Sequence, residues 1–229
     1  MDERLRATIR RAWPRQAAFT LFLAAVLFAA AGRLDYWQGW LFLVTFIVSS
    51  VALGAYFLKH DPALIERRMN AGPSAEREPV QKVIIGLIIV GFLVLIALPA
   101  LDVRLHRSSS PAWLSLLGNA GIVASFVVFF FVMKQNSYAA STVRVEAGQP
   151  VISTGLYGVV RHPMYSGALL MMISMPPALG SYWSLLLLFP LVPILAWRLL
   201  HEEQVLTRDL PGYAEYCRKV RYHLVPGLW

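Results

Sequence analysis

The chain has 229 residues, of which 57% are hydrophobic and only 15% charged, and it carries a net charge of +8. Soluble domains run at about 45–50% apolar and about 25% charged, and here the apolar excess is gathered into runs too long for a soluble core. These figures exclude an ordinary soluble α/β enzyme, a disordered chain and a secreted disulfide scaffold, and they indicate an integral membrane protein.

A basic start holding Arg4, Arg6, Arg10, Arg11 and Arg15 leads into the first apolar segment, Ala17–Ala31. Such a start ahead of a short apolar stretch and Ala29-Ala30-Ala31 also fits a cleaved signal peptide. The second segment, Trp37–Leu58, is followed by a mixed-charge connection, Lys59–Glu78, which contains Asp61-Pro62 and Gly72-Pro73 and reads as solvated with one short helix. Val80–Leu101 and Ala112–Met133 come next, then Met164–Leu179 and Tyr182–Leu200. A bilayer core of about 30 Å needs about 20 helical residues. The second, third and fourth segments meet this requirement; the first and fifth are short and must borrow flanking residues.

The fifth and sixth segments form one apolar block that breaks at Gly180-Ser181, just after Pro176-Pro177. Proline obstructs a continuing helix, and Tyr182-Trp183 supplies an interfacial aromatic pair. A helical hairpin is the expectation; the alternative is one kinked helix over 164–200. The expected fold is therefore an all-α polytopic transmembrane bundle of about six helices, or five with the kinked helix, followed by a C-terminal cytosolic helical segment. Residues 1–136 make a four-helix membrane region, and 137–229 hold most of the candidate chemistry.

With the N-terminus placed in the cytoplasm, the inner segments hold 18 Lys and Arg residues and the outer loops hold 3, Arg33, Arg104 and Arg107. This asymmetry supports six crossings with both termini inside, and argues against removal of the first segment. In a bacterium the membrane would be the inner one. The basic residues flank apolar runs, where they meet anionic head groups, and no nucleic-acid-binding element is visible. Cys217 is the single cysteine and no CxxC or HxxxH pair is present, so neither an internal disulfide nor a metal site is expected.

Two inner segments are dense in reactive side chains. One contains Gly155-Leu156-Tyr157 and Arg161-His162-Pro163-Met164-Tyr165-Ser166-Gly167; the other begins His201-Glu202-Glu203 and continues through Gly212-Tyr213 and Tyr216. Pro163 suits a first helical turn, which puts Arg161 and His162 at the mouth of the fifth helix. The sixth helix returns His201, Glu202 and Glu203 to the same level. Ionisable groups at that depth are costly to desolvate unless paired, which makes them functional candidates. The plainer alternatives are that Arg161 pairs with Glu202 or Glu203 merely to close the hairpin, that Arg198 and Glu202 form an i,i+4 pair, and that the tyrosines are interfacial belt residues.

These residues resemble the G-x-Y-x-x-x-R-H-P-x-Y-x-G signature of a membrane methyltransferase family that includes isoprenylcysteine carboxyl methyltransferases and phospholipid N-methyltransferases. Its second half, E-E-x-x-L, is matched by Glu202-Glu203-Gln204-Val205-Leu206. A following G-x-x-Y-x-x-Y is present in shortened form at Gly212, Tyr213 and Tyr216. The resemblance covers 137–229. One departure is that Arg221-Tyr222 stands where relatives often carry Pro-Arg.

The resemblance implies S-adenosylmethionine as cofactor, with Tyr157, Arg161, His162, Pro163, Tyr165, Glu202, Glu203 and Tyr213 binding it and Arg161, His162 and Glu203 in the catalytic group. The residue chemistry agrees. Arg161 can hold a carboxylate, Glu202 or Glu203 can accept from ribose hydroxyls, and tyrosine faces attract a sulfonium. His162 or Glu203 can take a proton from an acceptor that carries one. The expected partner is a lipophilic acceptor that enters from the bilayer. A nicotinamide-dependent membrane reductase and a non-enzymatic scaffold or transport subunit are the alternatives.

Overall fold

The computed structural model describes residues 3–76, 78–105, 110–139, 141–143 and 145–229, with side chains from Thr8 onward. Of the basic residues counted above, Arg77, Arg107 and Arg144, and the side chains of Arg4 and Arg6, lie outside this description. Among the described residues the protein is all-helical. The helices are α1 (Glu3–Ala31), α2 (Trp37–His60), α3 (Pro62–Met69), α4 (Pro79–Arg104), α5 (Ala112–Gln135), α6 (Pro163–Ala178), α7 (Leu188–Asp209) and α8 (Tyr213–Lys219).

Five stretches are long and apolar enough to cross a membrane: Thr8–Ala31, Trp37–His60, Pro79–Arg104, Ala112–Gln135 and Trp183–Asp209. The first reaches sufficient length because its helix extends back through the basic arm. α6, at 16 residues, is only about 24 Å long at 1.5 Å per residue. It nevertheless runs antiparallel along α5. Gly118 faces Ala178 at one end, Gly121 faces Ser174, and Gly167 meets Phe129 at the other. Small residues let the two backbones approach closely, and dispersion contacts replace the hydrophobic drive that lipid removes. Asn119 donates to the Ser115 carbonyl at 2.8 Å beside this seam, a local packing role.

At the end of α6 the chain reverses. Leu179 N–H donates to Met175 O, Gly180 N–H to Pro177 O and Ser181 N–H to Pro176 O, each at 3.0 Å. Gly180 takes φ +82°, a left-handed conformation that a side chain would strain. After a 3₁₀ turn at Trp183–Leu187, α7 returns along α4, with Gly91 against Leu191. Residues 164–200 are therefore a hairpin, not one kinked helix. Leu23, Leu27, Tyr36, Phe42, Leu95, Ile122, Met175 and Leu179 form the central apolar core shared by α1, α2, α4, α5 and α6.

The Lys59–Glu78 connection differs from the solvated loop expected of it. Asp61 caps α3 by accepting from the Leu64 N–H at 3.0 Å, with Pro62 in the first turn, as N-terminal capping favours. Leu64 is fully buried, and so is the carboxylate-bearing Glu76 at 4% exposure. A mixed-charge composition hides this, because the charges here find partners on other elements. Thr8 bonds Glu66 and Arg15 bonds the Met69 carbonyl, which holds the start of α1 at the same end of the bundle as α3.

The α5–α6 seam yields a stability prediction. A Cβ at Gly118 would sit 2.3 Å from the backbone nitrogen of Ala178, whereas one at Gly54 meets nothing within 4 Å. Gly118→Ala should lower stability by about 1–3 kcal/mol through overpacking, while Gly54→Ala should be neutral or stabilising by up to about 1 kcal/mol through helix propensity. Thermal unfolding of the two variants in detergent checks this; equal midpoints would disprove the close seam.

Candidate active site

The start of α6 and the end of α7 meet at Glu203. Pro163 opens α6, which sets Arg161 and His162 just before its first turn, and the hairpin brings Glu203 back to them. One carboxylate oxygen, Oε1, accepts from Arg161 Nη1 at 2.9 Å and contacts His162 Nε2 at 3.0 Å. The other, Oε2, lies 3.2 Å from His223 Nε2. A carboxylate can only accept from a ring nitrogen that carries hydrogen, so both imidazoles place their proton on Nε2. The Tyr213 hydroxyl is 3.4 Å from the same His162 nitrogen.

The C-terminal tail closes over this cluster by backbone pairing. Arg161 N–H donates to Tyr222 O at 2.9 Å and His162 N–H to His223 O at 3.0 Å. Ser166 Oγ donates to Leu224 O at 2.6 Å, and Arg161 Nη2 reaches Arg221 O at 2.9 Å. The Arg221 side chain itself is exposed, so this residue contributes only its carbonyl to the cluster. Trp229 stacks on His223 with ring centroids 4.8 Å apart.

A second cluster surrounds Arg198. Its Nη1 and Nη2 each donate to Glu76 Oε1 at 3.1 Å. Nη1 also reaches Gln81 Oε1 at 2.9 Å, Nη2 reaches Ser141 O at 3.0 Å, and Nε reaches the Tyr165 hydroxyl at 3.0 Å. Tyr165 in turn donates to Glu202. The Arg198–Glu76 pair is almost fully buried, at 7% and 1% side-chain exposure. The i,i+4 pair suggested for Arg198 and Glu202 thus gives way to a relay through Tyr165. His201 leaves the group altogether and contacts Gln81 Nε2 at 2.9 Å.

The phenols outside the spanning helices are held neutral. Burial pushes Tyr157 up to about 12, only partly opposed by the hydrogen bond from Asn136 and further supported by the negative Glu202. Tyr213 is raised by burial and by Glu203, and Tyr216 by burial and its neighbour Tyr157. Burial also raises the Cys217 thiol, against the pull of Arg161. His223 is lowered by burial, which outweighs the attraction of Glu203.

A cavity of about 370 Å³ lies between these clusters, within the ~300–1,000 Å³ usual for small-molecule sites. Tyr157, Arg161, His162, Pro163, Tyr165, Glu202 and Tyr213 line its polar part, while Ile85, Ile88, Phe129 and Leu195 give it an apolar wall from the bodies of α4, α5 and α7. Glu203 stands behind the wall and braces Arg161 and His162. Arg161 keeps one buried donor, Nε, without a partner among the described residues. Glu76, Gln81 and His223 escaped the sequence reading, which had Arg198 only as a helical partner of Glu202. Gln81, a polar residue at the start of a strongly apolar helix, was the one local signal.

A helical membrane bundle with a cavity at one end whose wall is partly polar and partly apolar defines a class, a polytopic integral membrane protein. Over residues 113–211 the chain matches the family model Phospholipid methyltransferase, consistent with the isoprenylcysteine and phospholipid methyltransferase family. The match and the five apolar helices support a membrane methyltransferase. It spans α5 to α7 and stops short of α8 and the tail that carries His223. No curated protein matches the chain significantly.

Two predictions arise here. Arg198→Met strands the buried Glu76 charge and should cost about 3–5 kcal/mol, whereas the double change Glu76→Met with Arg198→Met should recover most of it; thermal unfolding of the single and double variants measures both. The second concerns pH. His223 has a folded pKa below its unfolded value, so its contribution is complete above the unfolded pKa of about 6.5 and is lost as pH falls below it. The Trp229 emission, read as wild type minus Trp229→Phe, should change as pH drops from 7 to 5, and His223→Gln should flatten that change.

Proposed function

We propose that the protein is an S-adenosylmethionine-dependent methyltransferase that modifies a lipophilic acceptor at the cytosolic membrane boundary. The observation that carries this reading is the cavity, whose polar wall includes the R-H-P motif and Glu202 of the E-E motif and whose remaining wall is apolar. The residues present suit the cofactor. Arg161 offers an open cationic donor for a carboxylate, Glu202 is an acceptor for hydroxyl or ammonium groups, and neutral tyrosine rings attract a cation by about 1 kcal/mol or more when desolvated. When bound, the cofactor supplies a methyl carbon on positive sulfur, open to in-line attack by an acceptor lone pair with sulfur leaving as a neutral thioether.

The chain's own residues position and shield. Glu203 fixes the Arg161 guanidinium and the His162 ring in one orientation, which lowers the entropy lost in reaching the reactive geometry. Ile85, Ile88, Phe129 and Leu195 keep water from the reacting centre and provide apolar surface for an acceptor arriving from the bilayer. A carboxylate or thiolate acceptor needs no base. An amine or neutral thiol does, and His162 is the wall residue suited to accept that proton. With both chain ends on the cytosolic side, as the positive-inside asymmetry favours, the polar cofactor enters from water and the acceptor from lipid. The family match favours this reading over the reductase and scaffold alternatives.

Calorimetry with purified protein in detergent tests it. S-adenosylmethionine should bind with micromolar affinity, and Arg161→Ala and Glu203→Gln should each weaken binding by roughly 10- to 100-fold, the loss expected for a hydrogen bond to a charged group. Folded wild-type protein that shows no binding would sink the reading.

A further inference from the structure

Arg68 and its neighbour Arg67 sit side by side near the end of α3 and have opposite fates. Arg67 is fully engaged: its Nε donates to Glu146 Oε2 at 2.9 Å, its Nη1 donates to Ser137 O at 3.1 Å, and its guanidinium lies 4.8 Å from the Tyr138 ring centroid. Arg68 turns into the wall of the 370 Å³ cavity, and Ala139 O accepts from its Nη1 at 2.9 Å. Among the described residues no carboxylate lies within ion-pairing distance of it. The other two arginines on that wall, Arg161 and Arg198, each have one, in Glu203 and Glu76. Burial pulls the Arg68 guanidinium below its ordinary value, only partly opposed by Tyr157, as desolvation of a cation does.

A guanidinium has five donors in a planar fork that matches a carboxylate. Leaving it half-buried in the cavity wall without a counter-ion is unfavourable, and an anion entering the cavity would relieve this. Glu202 lines the same cavity, accepts from Tyr165 and likewise forms no ion pair among the described residues; its charge and that of Arg68 are both felt at Tyr157. The wall therefore offers one uncompensated cation and one carboxylate, complementary to a ligand that carries an acid group together with a positive one.

We infer that Arg68 is a carboxylate-binding residue of the cavity, supplied by the N-terminal half of the chain. This rests on the methyltransferase reading above. The carboxylate has two possible sources, the amino-acid end of the cofactor or an acidic acceptor, and Arg68 would recognise either by the same forked pair of hydrogen bonds.

The test uses the full-length chain with Arg68→Gln and Arg68→Lys. Calorimetry is run with S-adenosylmethionine, with its decarboxylated analogue, and with S-farnesyl-N-acetylcysteine as a lipophilic carboxylate. If the cofactor's acid is the ligand, Arg68→Gln should weaken S-adenosylmethionine about 10- to 100-fold and leave the decarboxylated analogue unchanged, which also shows that the variant is folded. If the acceptor's acid is the ligand, only the farnesylated acid should weaken. In either case Arg68→Lys should recover part of the loss. Wild-type binding that Arg68→Gln leaves unaltered overturns this inference alone; wild-type protein that binds neither carboxylate overturns it together with the cofactor reading.

Discussion

Arg198 carries a permanent charge at a depth where water is scarce, and the bundle is arranged to satisfy it. Desolvating a guanidinium costs several kcal/mol unless geometry and hydrogen bonds restore what water provided. Here Glu76, Gln81, the Ser141 carbonyl and the Tyr165 hydroxyl supply those partners. They come from the α3–α4 connection, the start of α4, the loop after α5, and α6. One side chain thus fixes the relative position of four segments and, through Tyr165, the orientation of Glu202 on the cavity wall.

Glu203 performs a parallel task one residue further from Glu202 on the same helix. It gathers Arg161, His162 and His223 from two chain regions that backbone pairing and the Arg161 and Ser166 side chains also hold together. Successive positions on α7 therefore divide the labour: Glu202 faces the cavity, and Glu203 holds Arg161 and His162, which also face it. The short α6 makes this possible. Its close glycine seam with α5 fixes its height, so Arg161 and His162 emerge level with the returning end of α7.

Much of this was legible from local chemistry. Pro163 marks a helix start and Gly180 a reversal, and the two together imply that Arg161, His162 and Glu203 converge. Sequence reasoning erred where partners are distant in the chain. Arg198 and Glu202 are spaced for a helical pair, yet the Arg198 charge is claimed by Glu76, 122 positions away. Nothing local marks Glu76, since its neighbours are mixed in charge and its burial arises only when α3 folds beneath the loop at 141–143. His223 is similar: its role depends on the tail pairing with Arg161 and His162, a contact without periodicity. His201 shares a level with Glu203 but not a helix face, and it contacts Gln81 instead.

The Glu76–Arg198 pair also constrains how this sequence can change over descent. Either member replaced alone leaves a buried charge without its counterpart, so the path from this pair to an uncharged one passes through a form less fit than both ends. Gln81 is drawn into the same constraint, since its amide contacts both Arg198 and His201. Positions 76, 81 and 198 should therefore be inherited or exchanged as a set, linking the N-terminal region outside the family match to the region inside it.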